Sequence, residues 1–239
     1  MRRLRTIEPV VPVESGMLAG LSYSLWLPPE SATLRGGVVI LHGAGSCKES
    51  HHDYARALIA ARFAAVTFDA RGHGKSDGPM DSGVLADVGV MAVLLRERCG
   101  AGLPLALRGS SMGGYMALVA AAAVDARAVV AICPADGEGL RRGLSSGRLR
   151  FLADVPALDR LLAEHDLEAA VEALEAPVLL LHAEGDEQVP VQHSRELALH
   201  LRHPASRLLV IPGGHHRSIQ HDEELQAVSL RFLTKALAG

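Results

Sequence analysis

Short apolar runs recur along the chain, each bounded by Gly, Pro or Asp and followed by a longer stretch of helical spacing. Val38–Leu41, Ala64–Phe68, Pro104–Leu107, Ala128–Ile132, Val178–Leu181 and Leu208–Ile211 are such runs. An unbroken short apolar run marks a strand buried on both faces. Leu21–Leu27 (LSYSLWL) alternates instead, which predicts an antiparallel strand near the start. Helices are predicted over Ser50–Arg62, Ser82–Arg98, Met112–Val124, Pro190–Arg202 and Asp222–Leu237. Strands alternating with helices build βαβ units. The expected fold is therefore α/β, a mostly parallel sheet with helices on both faces.

One interval breaks the rhythm. Pro134 to Ala176 separates two predicted strands by about forty residues, twice what a crossover helix needs. Its first part (ADGEGLRRGLSSGRLR) is polar and Gly-rich, and its second (VPALDRLLAEHDLEAAVEAL) has helical spacing. In open α/β sheets ligands bind beyond the carboxyl ends of the strands, so an excursion from that edge would lie over the site as a lid. A peripheral helical hairpin is the alternative. The expectation is one domain over residues 1–239 with a cap or lid insertion at about 135–176.

Composition narrows the class. The chain has 239 residues, 49% of them apolar and 21% charged, which fits one globular domain and excludes disorder. Lys and Arg total 24 against 27 Asp and Glu, a formal charge of −3 with no lysine-rich block, so nucleic acid is not expected as a partner. Cys47, Cys99 and Cys133 have no metal or redox spacing and read as buried thiols of a reducing compartment. No apolar stretch reaches the ~18 residues of a membrane span, and no apolar region follows the basic start, because Glu8, Pro9 and Pro12 interrupt it. A cytoplasmic location is the expectation.

The chemistry centres on Gly109-Ser110-Ser111-Met112-Gly113-Gly114, which follows one predicted strand and opens a predicted helix. This is G-x-S-x-G in its strand–turn–helix setting. A strand turning abruptly into a helix brings backbones too close for Cβ atoms two residues either side of the central serine. Ser110 lacks such flanks. A serine hydroxyl needs a base to take its proton, and the base needs a partner that holds its tautomer. Asp186 lies in the turn after Val178–Leu181, and His216 in the Gly-rich turn after Leu208–Ile211. Both turns fall at the sheet edge that bears Ser111.

LHGAG at 41–45, FDARGHGKSDG at 68–78, GSSMGG at 109–114, LHAEGDEQVP at 181–190 and IPGGHH at 211–216 resemble, in order and spacing, the motifs of the α/β-hydrolase fold family. The resemblance spans nearly the whole chain. It implies Ser111 as nucleophile, Asp186 as orienting acid and His216 as general base, with an oxyanion hole from the backbone N–H groups of Ala44 and Met112. The adjacent His215 remains an alternative base, and Glu184 and Asp136 alternative acids.

The other candidate residues have plainer readings. Asp69 and His73 read as anchors of a loop beside the site. The twelve histidines show no HExxH or finger spacing, so no metal is expected, and His193, His200 and His203 read as solvated surface. Arg141, Arg142, Arg148 and Arg150 lie in the lid interval, where they could draw an anionic substrate or only face solvent. Aromatic residues are 3% of the chain, which favours an aliphatic pocket over a stacking platform. The activity expected is hydrolysis of a small carboxylic ester or thioester without a cofactor. Acyl transfer, amide cleavage and C–C hydrolysis share the same residues, and a non-catalytic binding protein on this fold is the rival from another class.

Overall fold

The computed structural model describes residues 10–238. Eight strands form one sheet: β1 (Glu14–Leu18), β2 (Leu21–Trp26), β3 (Gly36–Leu41), β4 (Phe63–Phe68), β5 (Leu105–Ser110), β6 (Ala126–Ile132), β7 (Val178–Ala183) and β8 (Arg207–Ile211). Their spatial order is β1-β2-β4-β3-β5-β6-β7-β8. From β4 to β8 all pairings are parallel, whereas β2 runs antiparallel to both β1 and β4. The α/β class and the antiparallel start are as the hydrophobic pattern predicts.

β1 was not legible. It is an edge strand with alternate residues exposed and little apolar content, so no burial pattern marks it. Its pairing comes from the two-residue turn Ala19-Gly20, both at positive φ, a conformation that matches the twist of a tight hairpin.

Alternation along the central strands feeds two cores. Val39 and Leu41 of β3 enter one, and Val38 and Ile40 enter the other. The first core is closed by α2 (Val84–Cys99) and α3 (Met112–Ala120), the second by α1 (His52–Ala60) and α8 (Glu223–Ala236). Each Leu, Val or Phe buried there contributes roughly 1.5–3 kcal/mol. The sheet is thus a rigid plate whose carboxyl edge can hold side chains in place.

The interval after β6 contains three helices: α4 (Gly137–Ser145), α5 (Val155–Glu164) and α6 (Leu167–Glu172). Each begins at an aspartate, Asp136, Asp154 or Asp166, whose carboxylate accepts from the N–H three residues on. The Gly-rich first half is therefore partly helical, because Leu140 and Leu144 supply a one-sided apolar stripe. The segment between α4 and α5 is tied down: Met80 N–H donates to Leu152 O at 2.8 Å, and Asp154 N–H donates to Met80 O at 2.9 Å. Helix α7 (Val191–Leu197) completes the crossover to β8. Among the described residues no helix is long and apolar enough to cross a membrane. The three cysteines are unpaired; Cys133 is buried, but Cys47 and Cys99 are only half-buried, in departure from the sequence reading.

Candidate active site

Ser111 sits between β5 and α3 with φ 55° and ψ −118°. A non-glycine residue there carries strain on the order of 1–3 kcal/mol, which persists only where the surroundings over-determine it. They do. Ser111 N–H donates to Ile132 O at 2.9 Å, and Ser111 O accepts from Gly114, Tyr115 and Ala135 N–H at 2.9–3.1 Å. The flanking glycines are obligatory. A Cβ on Gly109 would lie 1.9 Å from Gly113 O, and one on Gly113 would lie 2.4 Å from Leu41 O. Helix α3 begins at Met112, so the Met112 N–H is one of the groups left without a carbonyl in a preceding turn.

Asp186 is held from several sides. Its Oδ1 accepts from the N–H groups of Gln188 and Val189 at 2.8 and 2.9 Å, and its Oδ2 meets His216 Nδ1 at 2.7 Å. Its side chain has no solvent exposure. Burial opposes its ionisation. Hydrogen bonds from His182, His216 and the two backbone N–H groups outweigh that, and hold the carboxyl far below the usual range. The carboxylate can only accept, so His216 Nδ1 carries the proton and Nε2 of the neutral ring is left with a free lone pair.

His216 is buried, and its backbone N–H donates to Glu187 Oε2 at 3.1 Å. His215 makes none of these contacts: its N–H donates to Ser218 Oγ, and its exposed ring faces Arg217 N–H. Of the two adjacent histidines, His216 alone meets Asp186. Asp136 is spent on capping α4, and Glu184 pairs with Arg195 at 3.4 Å on the surface. Ser111 lines a cleft of about 350 Å³ together with Leu140 and Arg142 of α4 and with Glu187 and Val189 beside Asp186. The structure thus joins Asp186 to His216, and sets Ser111 in a cleft whose wall includes Glu187, the acceptor of the His216 N–H. Among the described residues no hydrogen bond links Ser111 Oγ to His216.

Ala44 follows β3 in a loop set by His42. Ala70 N–H donates to His42 Nε2 at 3.0 Å, so Nδ1 bears the proton and donates to Gly43 O at 2.8 Å. Burial lowers the His42 pKa to about 4, which keeps the ring neutral. In a planar trans peptide the N–H points opposite to the carbonyl, so pinning Gly43 O also fixes the direction of the Ala44 N–H. Gly43 packs against Ser111, a Cβ there falling 3.3 Å from Ser111 Cβ.

Neither His42 nor His182 was singled out from sequence. His182 is fully buried in β7. Its Nε2 donates to Val189 O at 3.0 Å with Asp186 Oδ2 3.4 Å away, and its Nδ1 accepts from Ser194 Oγ at 2.7 Å. Both histidines interrupt or close an apolar strand run, and that is the signal that could have found them. Asp69 anchors its loop as expected, accepting from Lys48 Nζ, Lys48 N–H and Lys75 N–H at 2.7–2.9 Å. His73 stacks on Phe151 in the same layer. Two of the four arginines in the 134–176 interval are committed to ion pairs, Arg141 with Asp159 and Arg142 with Glu138. His193 is half-buried against α4–α7 rather than fully solvated.

The fold and the strained serine define an α/β-hydrolase. Residues 32–155, more than half of the chain, match the family described as serine aminopeptidase, S33, and residues 162–237 match that described as TAP-like protein. The chain belongs to this S33 family of α/β-hydrolases. Uncharacterized protein YfhR of Escherichia coli O157:H7 is 27% identical over 214 residues, covering 84% of this chain and 70% of that protein. A monoacylglycerol lipase from Paleococcus ferrophilus superposes with a TM-score of 0.70 at 21% identity, over 90% of this chain and 99% of the other. A Pyrococcus furiosus esterase gives 0.71 at 21% identity, over 91% of this chain and 87% of the other. At such identities these two structures speak for the fold alone.

Proposed function

We propose that this chain is a serine hydrolase that cleaves a small carboxylic ester or thioester through an acyl-enzyme. Ser111 Oγ attacks the carbonyl carbon while His216 Nε2 takes its proton. The ionised Asp186 steadies the imidazolium that results. The N–H groups of Ala44 and Met112 receive the oxyanion, each worth about 3 kcal/mol in the transition state. His216 then returns the proton to the departing alkoxide or thiolate, leaving the acyl group on Ser111. Water enters by the same route, His216 removes its proton, and the acid leaves with Ser111 restored.

The observation that carries this reading is Ser111, held at φ 55° in a cleft also lined by Glu187, which follows Asp186 and accepts the His216 N–H. Helices α4 to α6 act in this reading as a cap, since α4 supplies Leu140 and Arg142 to the cleft wall. Leu140 and Leu149 give the wall of the Ser111 cleft an apolar stretch, which favours an aliphatic acyl group.

Intact-mass labelling with a fluorophosphonate, followed by peptide mapping, tests the reading without knowledge of the substrate. A single adduct on Ser111, absent in Ser111→Ala and much slowed in His216→Ala, is expected. No adduct on the folded protein at high probe excess overturns it. A peptidase reading is favoured by the description of the matching family. Aminoacyl anilides screened beside acyl esters separate the two.

A further inference from the structure

Two side chains on β5 reach across to the segment that carries His216. Ser110 Oγ donates to Gln220 Oε1 at 2.9 Å, and Arg108 Nη2 donates to Gln220 O at 3.2 Å. Residues two apart on a strand face the same side, so both donors converge on one target. Ser110 immediately precedes Ser111, and Gln220 follows His216 by four residues in the turn Ile219–His221. All three partners are buried, at 5%, 1% and 7% exposure. Gln220 is anchored from behind as well. Gln226 Nε2 donates to its carbonyl at 3.1 Å and also to Asp53 Oδ2 on α1 at 2.8 Å. Arg108 is stacked 3.8 Å above the Tyr54 ring, its Nη1 lies 3.4 Å from His51 Nδ1, and it has no carboxylate partner among the described residues, so its reach is set by Tyr54, His51 and Gln220.

The geometry assigns Gln220 the role of a positioning residue that sets the separation of Ser111 and His216. This rests on the reading of those two as nucleophile and base. Asp186 fixes the rotation and tautomer of the His216 ring, but it belongs to the β7 turn and does not touch the nucleophile strand. The loop before His216 contains Gly213 and Gly214, both at positive φ; Gly185 N–H donates to Gly213 O at 3.1 Å and His216 N–H to Glu187 Oε2, which ties the loop to the β7 turn but not to the nucleophile strand. Gln220 holds the far end of the loop directly to the residue next to Ser111. An apolar side chain of the same size would fill the space without fixing the register, because dispersion contacts have no direction and hydrogen bonds do.

The test compares Gln220→Met, which keeps the shape and loses both the Ser110 bond and the 2.7 Å bond of Gln220 Nε2 with His221 Nε2, with Gln220→Glu, which keeps an acceptor for Ser110. Ser110→Ala removes the Ser110–Gln220 bond from the other side. Melting temperature, fluorophosphonate labelling rate, kcat, KM and the pH profile of kcat/KM are measured for each. In Gln220→Met the labelling rate and kcat are expected to fall about 10–100-fold, the range for a reacting group displaced by about 1 Å. KM should stay within about twofold and the pH inflection of kcat/KM should not move, because the Asp186–His216 bond is untouched. Gln220→Glu should recover most of the rate. Ser110→Ala should slow labelling too, and adding it to Gln220→Met should cost little more, as expected for two partners of one bond. Unchanged labelling in folded Gln220→Met, or in Ser110→Ala should the Met variant not fold, overturns the assignment. So does a loss that tracks melting temperature and is equal in Gln220→Glu. Absence of a Ser111 adduct in the wild type is a different result, since it removes the catalytic reading itself.

Discussion

His216 Nδ1 lies 2.7 Å from Asp186 Oδ2, on a carboxylate whose other oxygen is already bound by two backbone N–H groups. Asp186 therefore cannot rotate to follow a moving ring; the histidine must come to it. In Asp186→Asn the amide can present an N–H to Nδ1, which forces the proton onto Nε2 and, in the proposed reaction, removes the base. Fluorophosphonate labelling should fall on the order of 10³–10⁴-fold while the protein remains folded. A loss under tenfold would show that Asp186 does not set the tautomer.

Ser111 provides a separable test of strain. Ser111→Ala should abolish labelling and leave the φ 55° backbone as unfavourable as before. Ser111→Gly should also abolish labelling, but raise stability by about 1 kcal/mol, since glycine tolerates that region. Denaturant melts of the three proteins check this. Equal midpoints for the Ala and Gly variants would argue that the elbow is relaxed.

Gly109→Ala should behave in the opposite sense. Its new Cβ would stand 1.9 Å from a backbone oxygen that no rotamer change can move. A destabilisation of about 3 kcal/mol or more is expected, at the upper end for overpacking. Gly102→Ala, where no atom lies within 4 Å of the new Cβ, is the matched control.

Stability should depend on pH through His42. Its pKa falls from 6.5 to about 4 on folding because burial penalises the charged ring. Between those values the unfolded chain binds a proton that the folded chain does not. Stability is therefore level above pH 6.5 and decreases as pH drops toward 4, by about 3 kcal/mol for this group in full. Other buried histidines, including His51 and His73, are shifted the same way and add to the slope. His42→Gln keeps an acceptor for Ala70 and a donor for Gly43. Urea melts from pH 7.5 to 4.5 should show a shallower slope in this variant than in the wild type. Equal slopes would mean that His42 is protonated in the folded state.

Lys48 and Asp69 form a buried ion pair, with Lys48 Nζ 2.8 Å from Asp69 Oδ2 and side-chain exposures of 5% and 0%. Removing one partner leaves an uncompensated charge, so Lys48→Met should cost about 3 kcal/mol in a thermal or urea melt. A change below about 1 kcal/mol would place Asp69's stability in its backbone N–H partners alone.

Much of this molecule follows from local pattern. Six of the eight strands announce themselves as apolar runs, because a strand covered on both faces needs apolar residues at successive positions whatever its neighbours are, and β2 announces itself by alternation. The Ser111 turn is equally local: the glycines at 109 and 113 are demanded by atoms within a few residues or on the adjoining strand. Helix α4 and strand β1 escaped notice, since one is Gly-rich and the other half exposed at an edge.

What the sequence by itself determined, then, is the order of the elements and the serine turn, both products of short-range sterics and burial. Tertiary structure decided the rest. His215 and His216 are chemically identical neighbours, and only the fold places one of them against a carboxylate thirty positions earlier. The strand order, the role of His182 behind Asp186 and the bridge from Ser110 to Gln220 are likewise contacts between distant segments. A hydrogen bond leaves no periodic trace along the chain, because either partner alone looks like any other polar residue. Its direction exists only once the sheet has brought the two ends together.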